Sequence, residues 1–122
     1  MIKNTCQSIK NLQVLDKYLF YNYNIIMDPI KFEWDENKNN INKQKHNISF
    51  EEAKTAFYDD NALMIDDPEH SEQEERFILL GISTKANLLV VCHCYRESDT
   101  VIRIISARKA TKNETKQYYD FL

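Results

Sequence analysis

The chain has 122 residues, of which 43% are hydrophobic and 29% charged, and these proportions are typical of one globular domain. The net charge of −3 argues against a protein that binds nucleic acid over its whole surface. The single glycine excludes a glycine-rich phosphate loop, and no apolar run reaches the roughly 18 residues of a membrane span. Three cysteines are too few for a disulfide framework and indicate a reducing compartment, which predicts a cytoplasmic protein.

The charges are unevenly distributed along the chain. Residues 59–75 contain eight acids and no Lys or Arg, whereas residues 76–109 contain six Lys or Arg and two acids. A local basic zone can therefore form on an acidic protein.

Residues 1–26 differ in pattern from the rest of the chain. Four aliphatic residues could line a short helix, and an aromatic run comes after them at 18–23. We predict that this segment is an extension, poorly ordered or upstream of the true start, and that the compact domain spans residues 27–122. The alternative is an additional helix packed on the core.

The first regular elements begin near residue 30. The alternation in Ile30–Trp34 predicts a half-buried strand. A mostly polar helix is expected over 36–46, capped by Asp35 and ended by Asn47 in the left-handed conformation.

A second, shorter helix comes directly after the first. Ser49 and Glu52 have the spacing of a capping box, and the helix should end near Asp59. Residues 62–65 then form a short apolar strand, followed by an acidic loop over 66–73.

Three longer strands and a last helix complete the chain. The turns at 85–87 and 97–99 are short enough to be hairpins, so the strands at 74–83, 88–96 and 100–109 should form an antiparallel meander. Thr111 and Glu114 form a second capping box, and Tyr118 and Leu122 should face the sheet. The predicted class is α+β: an antiparallel sheet of about four strands with two N-terminal helices and one C-terminal helix.

The strand at 100–109 combines four β-branched aliphatic residues with three cations. If it is regular, Arg103 and Lys109 lie on one face and Arg108 on the other. Cations on a rigid strand suit a phosphate-binding site, but an ordinary half-solvated strand has the same appearance.

Five motifs occur in one order along the chain: F-E-W-D-E-N-K at 32–38, K-H-N-I-S-F-E-E-A at 45–53, H-S-E-Q-E-E-R at 70–76, L-L-V-V at 88–91 and R-I-I-S-A-R-K-A at 103–110. Together they resemble the BrnT family of ribonuclease toxins. The resemblance implies a RelE-like fold and a toxin of a type II toxin–antitoxin system that cleaves RNA without a metal ion. It also implies a BrnA-like antitoxin as partner, through which the complex contacts DNA. Asn47 stands where the family usually has glycine, and residues 1–26 have no counterpart in the family.

The resemblance also implies a set of site residues. Arg108, Arg96 and Arg76 would stabilise the charge on the phosphorane, and His70, among carboxylates that favour its charged form, is a candidate general acid. Contact with the RNA backbone would come from Arg103, Lys109, Lys45 and His46. The alternative for any single arginine is a surface salt bridge to Glu72, Glu74 or Glu75.

Cys92-His93-Cys94 has the appearance of a metal motif, but strand alternation separates the histidine from the two thiols. No second Cys/His pair completes a tetrahedral site, so we expect no zinc and no cofactor, with His93 packed in the sheet. Asp66, Asp67 and Glu69 could hold magnesium, although an acidic loop is usually solvated.

Two functions therefore stay open. The first is a ribonuclease toxin. The second is a catalytically inactive toxin-like module that only binds the antitoxin and co-regulates the operon.

Overall fold

The computed structural model describes residues 30–67 and 74–122. The predicted extension over residues 1–26 and the side chain of His70 therefore lie outside the described residues. The elements are β1 (Lys31–Glu33), α1 (Glu36–His46), α2 (Phe50–Ala56), β2 (Leu63–Asp66), β3 (Phe77–Ile82), β4 (Leu88–Arg96), β5 (Val101–Lys109) and α3 (Lys112–Asp120). No helix in the described ranges is long and apolar enough to cross a membrane.

The sheet has five strands in the order β1-β5-β4-β3-β2. The meander β2 to β5 is antiparallel, as expected, but β1 pairs with β5 in parallel, with Phe32 opposite Ile102. The α+β class is confirmed, whereas the prediction of about four antiparallel strands is wrong. Parallel neighbours need a long connection between them, and a partner about 70 residues away leaves no trace in the local pattern.

The helices lie on both faces of this sheet. The first face, covered by α1 and α2, carries the larger core: Ile48, Phe50, Ala53, Ala56, Phe57, Ala62, Leu79, Leu89, Val91, Ile102, Ile104 and Ala107. The second face carries a smaller cluster, in which Tyr118 of α3 packs with Leu63, Leu80 and Val90. Tyr118 is buried as predicted, but Leu122 is 65% exposed, because α3 ends at Asp120.

Two buried asparagines dock α1 to the rest of the fold. Asn42 donates from Nδ2 to the carbonyls of Ile48 and Ala107, each at 2.8 Å, and its Oδ1 accepts from the Ala107 amide at 3.1 Å. Asn39 accepts from the Phe50 amide at 2.8 Å. Ile41, the sole aliphatic residue of α1, is 59% exposed, so hydrogen bonds to backbone hold this polar helix where apolar burial is lacking.

The helix caps agree with the sequence signals, with one exception. Asp35 accepts from the Lys38 amide, and Asn47 ends α1 with φ of 58°. Ser49 accepts from the Glu52 amide, but the Glu52 carboxylate binds Ser83 Oγ at 2.6 Å and Asn87 Nδ2 at 2.8 Å. The predicted capping box at Ser49 is therefore only half formed, whereas the box of Thr111 and Glu114 is complete.

The single glycine, Gly81, lies where α2 crosses β3. A Cβ at this position would be 2.8 Å from the carbonyl oxygen of Ala56 and 3.1 Å from Cβ of Ala62. Only a residue without a side chain allows the helix to approach the strand this closely.

A β-bulge changes the faces of β5. Cys92 lies opposite Ser106 and His93 opposite Ile104, so Ile105 is an extra residue. Ala107 consequently returns to the first face with Ile102 and Ile104. Arg103 and Arg108 therefore share the second face, and the prediction from a regular strand, which separated them, is wrong.

Candidate active site on the second face of the sheet

Three arginines lie near one another on the half of the second face that α3 does not cover. Arg103 lies opposite Cys94, and Arg96 is two residues beyond Cys94 on the same face. On the neighbouring strand β3, Phe77 lies opposite His93. The preceding residue, Arg76, therefore flanks Cys94 on the side away from Arg103. Strands about 4.8 Å apart with a rise of about 3.3 Å per residue bring the three backbones within roughly 10 Å of one another. We call Arg76, Arg96 and Arg103 the arginine cluster.

One carboxylate contacts two members of this cluster. Glu74 Oε2 lies 3.0 Å from Arg96 Nη2, and Glu74 Oε1 lies 3.8 Å from Arg76 Nε. The three side chains are 33%, 45% and 31% exposed, in the order Glu74, Arg96, Arg76. The salt bridge to Glu74 expected as an alternative for these arginines therefore forms, and both side chains remain accessible from solvent.

Arg103 has a carboxylate of its own. Its Nη1 lies 2.7 Å from Oε2 of Glu33, the residue opposite it on β1. Because β1 pairs with β5, this ion pair connects the edge of the sheet to the arginine cluster. A guanidinium group carries five N–H donors, so both Arg96 and Arg103 can bind a phosphate oxygen while they keep their present partner.

Small side chains lie between the arginines. Cys92, Cys94 and Ser106 occupy the second face there, and Cys94 is buried. Burial, followed by the charge of Asp67, raises the pKa of Cys92 to about 11, and burial also raises the pKa of Cys94. Both thiols are therefore protonated at neutral pH and are poor nucleophiles and poor metal ligands.

Arg108 lies apart from the arginine cluster. Arg108 is opposite Val90 of β4, six residues before Arg96 on that strand. At the usual rise per residue, about 20 Å along β4 separates Arg108 from Arg96. Arg108 forms a fork with Glu114, from Nη1 to Oε1 at 2.8 Å and from Nη2 to Oε2 at 3.0 Å. Of the three arginines that the sequence suggested for catalysis, the structure brings Arg76 and Arg96 together and leaves Arg108 elsewhere.

The remaining suggested residues lie at other places. Lys45 is exposed and His46 half-buried in the last turn of α1, and Lys109 is exposed at the end of β5. His70 lies outside the described residues; the last described residue before it, Asp67, donates its amide to the Arg76 carbonyl at 2.8 Å. His93 is fully buried against Phe57, with 4.8 Å between the ring centroids, so its predicted role in packing is confirmed.

Sequence reasoning missed Arg103 as a member of the cluster and Glu74 as its shared carboxylate. The bulge that brings Arg103 to this face depends on the register with β4 and has no local signal. Glu74 was recognisable, because side chains two residues apart in an extended segment point to one side, and Arg76 follows it at that distance.

Among the described residues, no group of three His, Cys, Asp or Glu side chains is arranged to hold a metal ion. The chemistry that this geometry offers is the binding of anions by arginines that lie next to a carboxylate. A phosphodiester suits such a site, because the guanidinium fork matches its oxygens and the carboxylate can accept a proton.

Comparison with known proteins adds the family. Residues 34–114, which include every arginine discussed here, match the family described as the ribonuclease toxin BrnT of type II toxin–antitoxin systems. Among solved structures, the chain is similar to the crystal structure of the Brucella abortus ribonuclease toxin BrnT, at 23% identity over 68% of this chain and 99% of that chain, with a TM-score of 0.47. A search of curated proteins gave no match. The family match covers about two thirds of the chain, and the protein therefore belongs to the BrnT family of ribonuclease toxins of type II toxin–antitoxin systems.

Proposed function

We propose that this protein is a RelE-like toxin that cleaves RNA as a metal-independent endoribonuclease in the cytoplasm and thereby stops translation and growth. The observation that carries the proposal is the convergence of Arg76 and Arg96 on Glu74, at a part of the sheet that no described helix covers. The family supports the class of reaction, and this geometry supports our choice of site.

RNA cleavage without a metal ion has three requirements. The 2′-hydroxyl loses its proton, the charge on the phosphorane is stabilised, and the 5′-oxygen gains a proton. Arg96 and Arg76 serve the second requirement, because guanidinium groups stay charged and bind phosphate oxygens in pairs. His70 remains our candidate for the acid that protonates the 5′-oxygen.

The other cations suit the RNA on either side of the cleaved bond. Arg103 extends the arginine cluster toward β1. Lys45, His46 and Lys109 lie at the opposite end of β5, where Asn42 of α1 holds Ala107. We propose that these residues bind backbone phosphates, and that Arg108 contributes there through the N–H donors that its fork with Glu114 does not use.

The test is induced growth arrest and RNA cleavage by the full chain and its variants. Arg96→Ala should reduce cleavage by at least about 100-fold, as expected for a lost transition-state donor. The matched control, Lys85→Ala, removes an exposed cation from a turn. Arg108→Ala should cause a smaller loss, confined to RNA binding.

Two further measurements test whether the reaction is metal-independent and whether the 2′-hydroxyl is the nucleophile. Cleavage should persist in EDTA, and the products should end in a 2′,3′-cyclic phosphate and a 5′-hydroxyl. If the folded full chain leaves RNA intact and does not stop growth, the inactive module that only binds an antitoxin becomes the better description.

We also propose a BrnA-like antitoxin as the partner, with DNA bound only through that antitoxin. The arginine cluster already pairs with Glu74 and Glu33, so acidic side chains of a partner can take the same positions. A partner bound there would exclude RNA from the arginines and neutralise the toxin.

A further inference from the structure

We propose that Glu74 is the general base of this reaction and accepts the proton of the attacking 2′-hydroxyl. The inference rests on the proposed function and names the residue of that site that removes the proton, which the arginines cannot do. A guanidinium group remains protonated at any physiological pH and cannot act as a base.

The position of Glu74 supports this role. Its Oε2 lies 3.0 Å from Arg96 Nη2, so a phosphate oxygen bound to another N–H of that guanidinium group lies next to the carboxylate. Arg76 lies on the opposite oxygen, with 3.8 Å between Nε and Oε1. A general base must reach the proton that it removes, and Glu74 is adjacent to the place where these two arginines would hold the phosphate.

Two other carboxylates of the second face have a different environment. Glu33 lies 2.7 Å from Arg103, at the edge of the sheet. Glu114 is held by the Arg108 fork and by the Thr111 amide, which it bonds at 2.8 Å to complete the capping box. Glu114 is thus fixed by the start of α3, whereas Glu74 lies between two arginines that the RNA can reach.

The step balances without any added oxidant or metal. The O–H bond of the 2′-hydroxyl breaks and its proton moves to Glu74, while the 2′-oxygen forms a bond to phosphorus. The bond from phosphorus to the 5′-oxygen then breaks, and the general acid of the site gives a proton to that oxygen. The proton on Glu74 returns through solvent to that acid, which leaves a 2′,3′-cyclic phosphate, a 5′-hydroxyl, the original carboxylate and the re-protonated acid.

The experiment compares Glu74→Gln with two matched variants in the full chain. Glutamine retains an oxygen that accepts from Arg96 but cannot take the proton. We expect kcat to fall by at least about 100-fold while RNA binds as tightly as before, or tighter, because one negative charge is removed. Glu33→Gln removes the partner of Arg103 in the same way and should alter KM alone. Glu75→Gln, at the exposed neighbouring residue, should leave both constants unchanged.

Chemical rescue separates a catalytic role from a structural one. Glu74→Ala should regain cleavage when formate is added, since formate can occupy the vacated position and accept the proton, and Glu75→Ala should not respond. Wild-type cleavage together with a kcat for Glu74→Gln within about threefold of wild type overturns the inference and leaves the proposed ribonuclease intact. A fall in kcat that formate does not rescue also overturns the inference, because Glu74 would then only position the arginines. Absence of cleavage by the folded wild-type chain overturns both.

Discussion

His93 is a histidine that the fold keeps neutral. It is fully buried in β4, with the rings of Phe57 and Tyr95 at 4.8 and 5.4 Å between centroids. Its Nδ1 lies 3.2 Å from the Val91 carbonyl, and within the described residues Nε2 has no hydrogen-bond partner. Burial lowers the pKa of His93 to about 4.

We predict that mild acid destabilises the protein through this residue. In the unfolded chain a histidine has a pKa near 6.5, so the unfolded state takes up the proton first as the pH falls. The free energy of unfolding should therefore be highest above about pH 6.5 and decrease toward pH 4, by at most about 3 kcal/mol. Urea denaturation at pH 7 and pH 5 measures the decrease.

Two variants test this assignment. His93→Leu should remove most of the difference between pH 7 and pH 5, and His46→Asn, at a half-buried histidine, should retain it. The carboxylates with a lowered pKa, Glu51 and Glu114, contribute mainly below about pH 4.5, so they do not obscure this window. An unchanged slope in His93→Leu would contradict the assignment.

At the scale of the element, α1 depends on Asn42. Replacing Asn42 with Ala leaves the buried Ala107 amide and two carbonyl groups without their partner. We expect a loss of about 2–4 kcal/mol in the free energy of unfolding, and faster hydrogen exchange at the Ala107 amide. Asn40→Ala, on the exposed side of the same helix, should change stability by less than about 0.5 kcal/mol. Equal effects of the two substitutions would show that Asn42 does not anchor the helix.

Helix α3 is attached to the sheet mainly through one buried side chain, Tyr118. Its hydroxyl donates to Asp59 Oδ2 at 2.6 Å, and burial raises the pKa of the phenol. Tyr118→Phe keeps the ring and removes this bond, which should cost about 1–2 kcal/mol in a denaturation experiment. Tyr119→Phe removes the hydroxyl of a side chain that is 54% exposed and should have no measurable effect.

Elements with a local cause were predictable from the sequence. The bounds of α1 result from a capping aspartate and a left-handed asparagine, and those of β4 from an apolar run between two turns. The parallel pairing of β1 with β5 and the bulge at Ile105 were not predictable, because both depend on the register between distant segments. The same reason explains why Arg108 was expected beside Arg96, and why Arg103 and Arg108 were expected on opposite faces.

At the scale of the whole molecule, the sheet is covered unequally. Two helices cover the first face, whereas α3 covers the second face only near Leu63, Leu80 and Val90. The arginine cluster lies on the remaining part, on a protein whose net charge is −3. A partner that reaches the cluster should therefore be guided by local and not by total charge.

Reversal of these charges should weaken the complex with the antitoxin. We predict that Arg103→Glu combined with Lys109→Glu lowers the affinity by at least about tenfold, with the larger part from Arg103, on the same face as Arg96. Isothermal titration at two salt concentrations measures the loss. Lys85→Glu combined with Lys112→Glu makes the same change of charge at two other exposed residues and should have little effect. Equal affinities of the two double variants would contradict the proposed surface.

The pairing of the first strand with the fifth has a consequence for synthesis. The strand β5 follows its neighbour β1 by about 70 residues, so β1 emerges from the ribosome long before β5 exists. Arg103 joins Arg76 and Arg96 only when β5 is in place. A nascent chain therefore lacks its complete arginine cluster until β5 has been synthesised, and before that point it carries only Arg76 and Arg96 of the three.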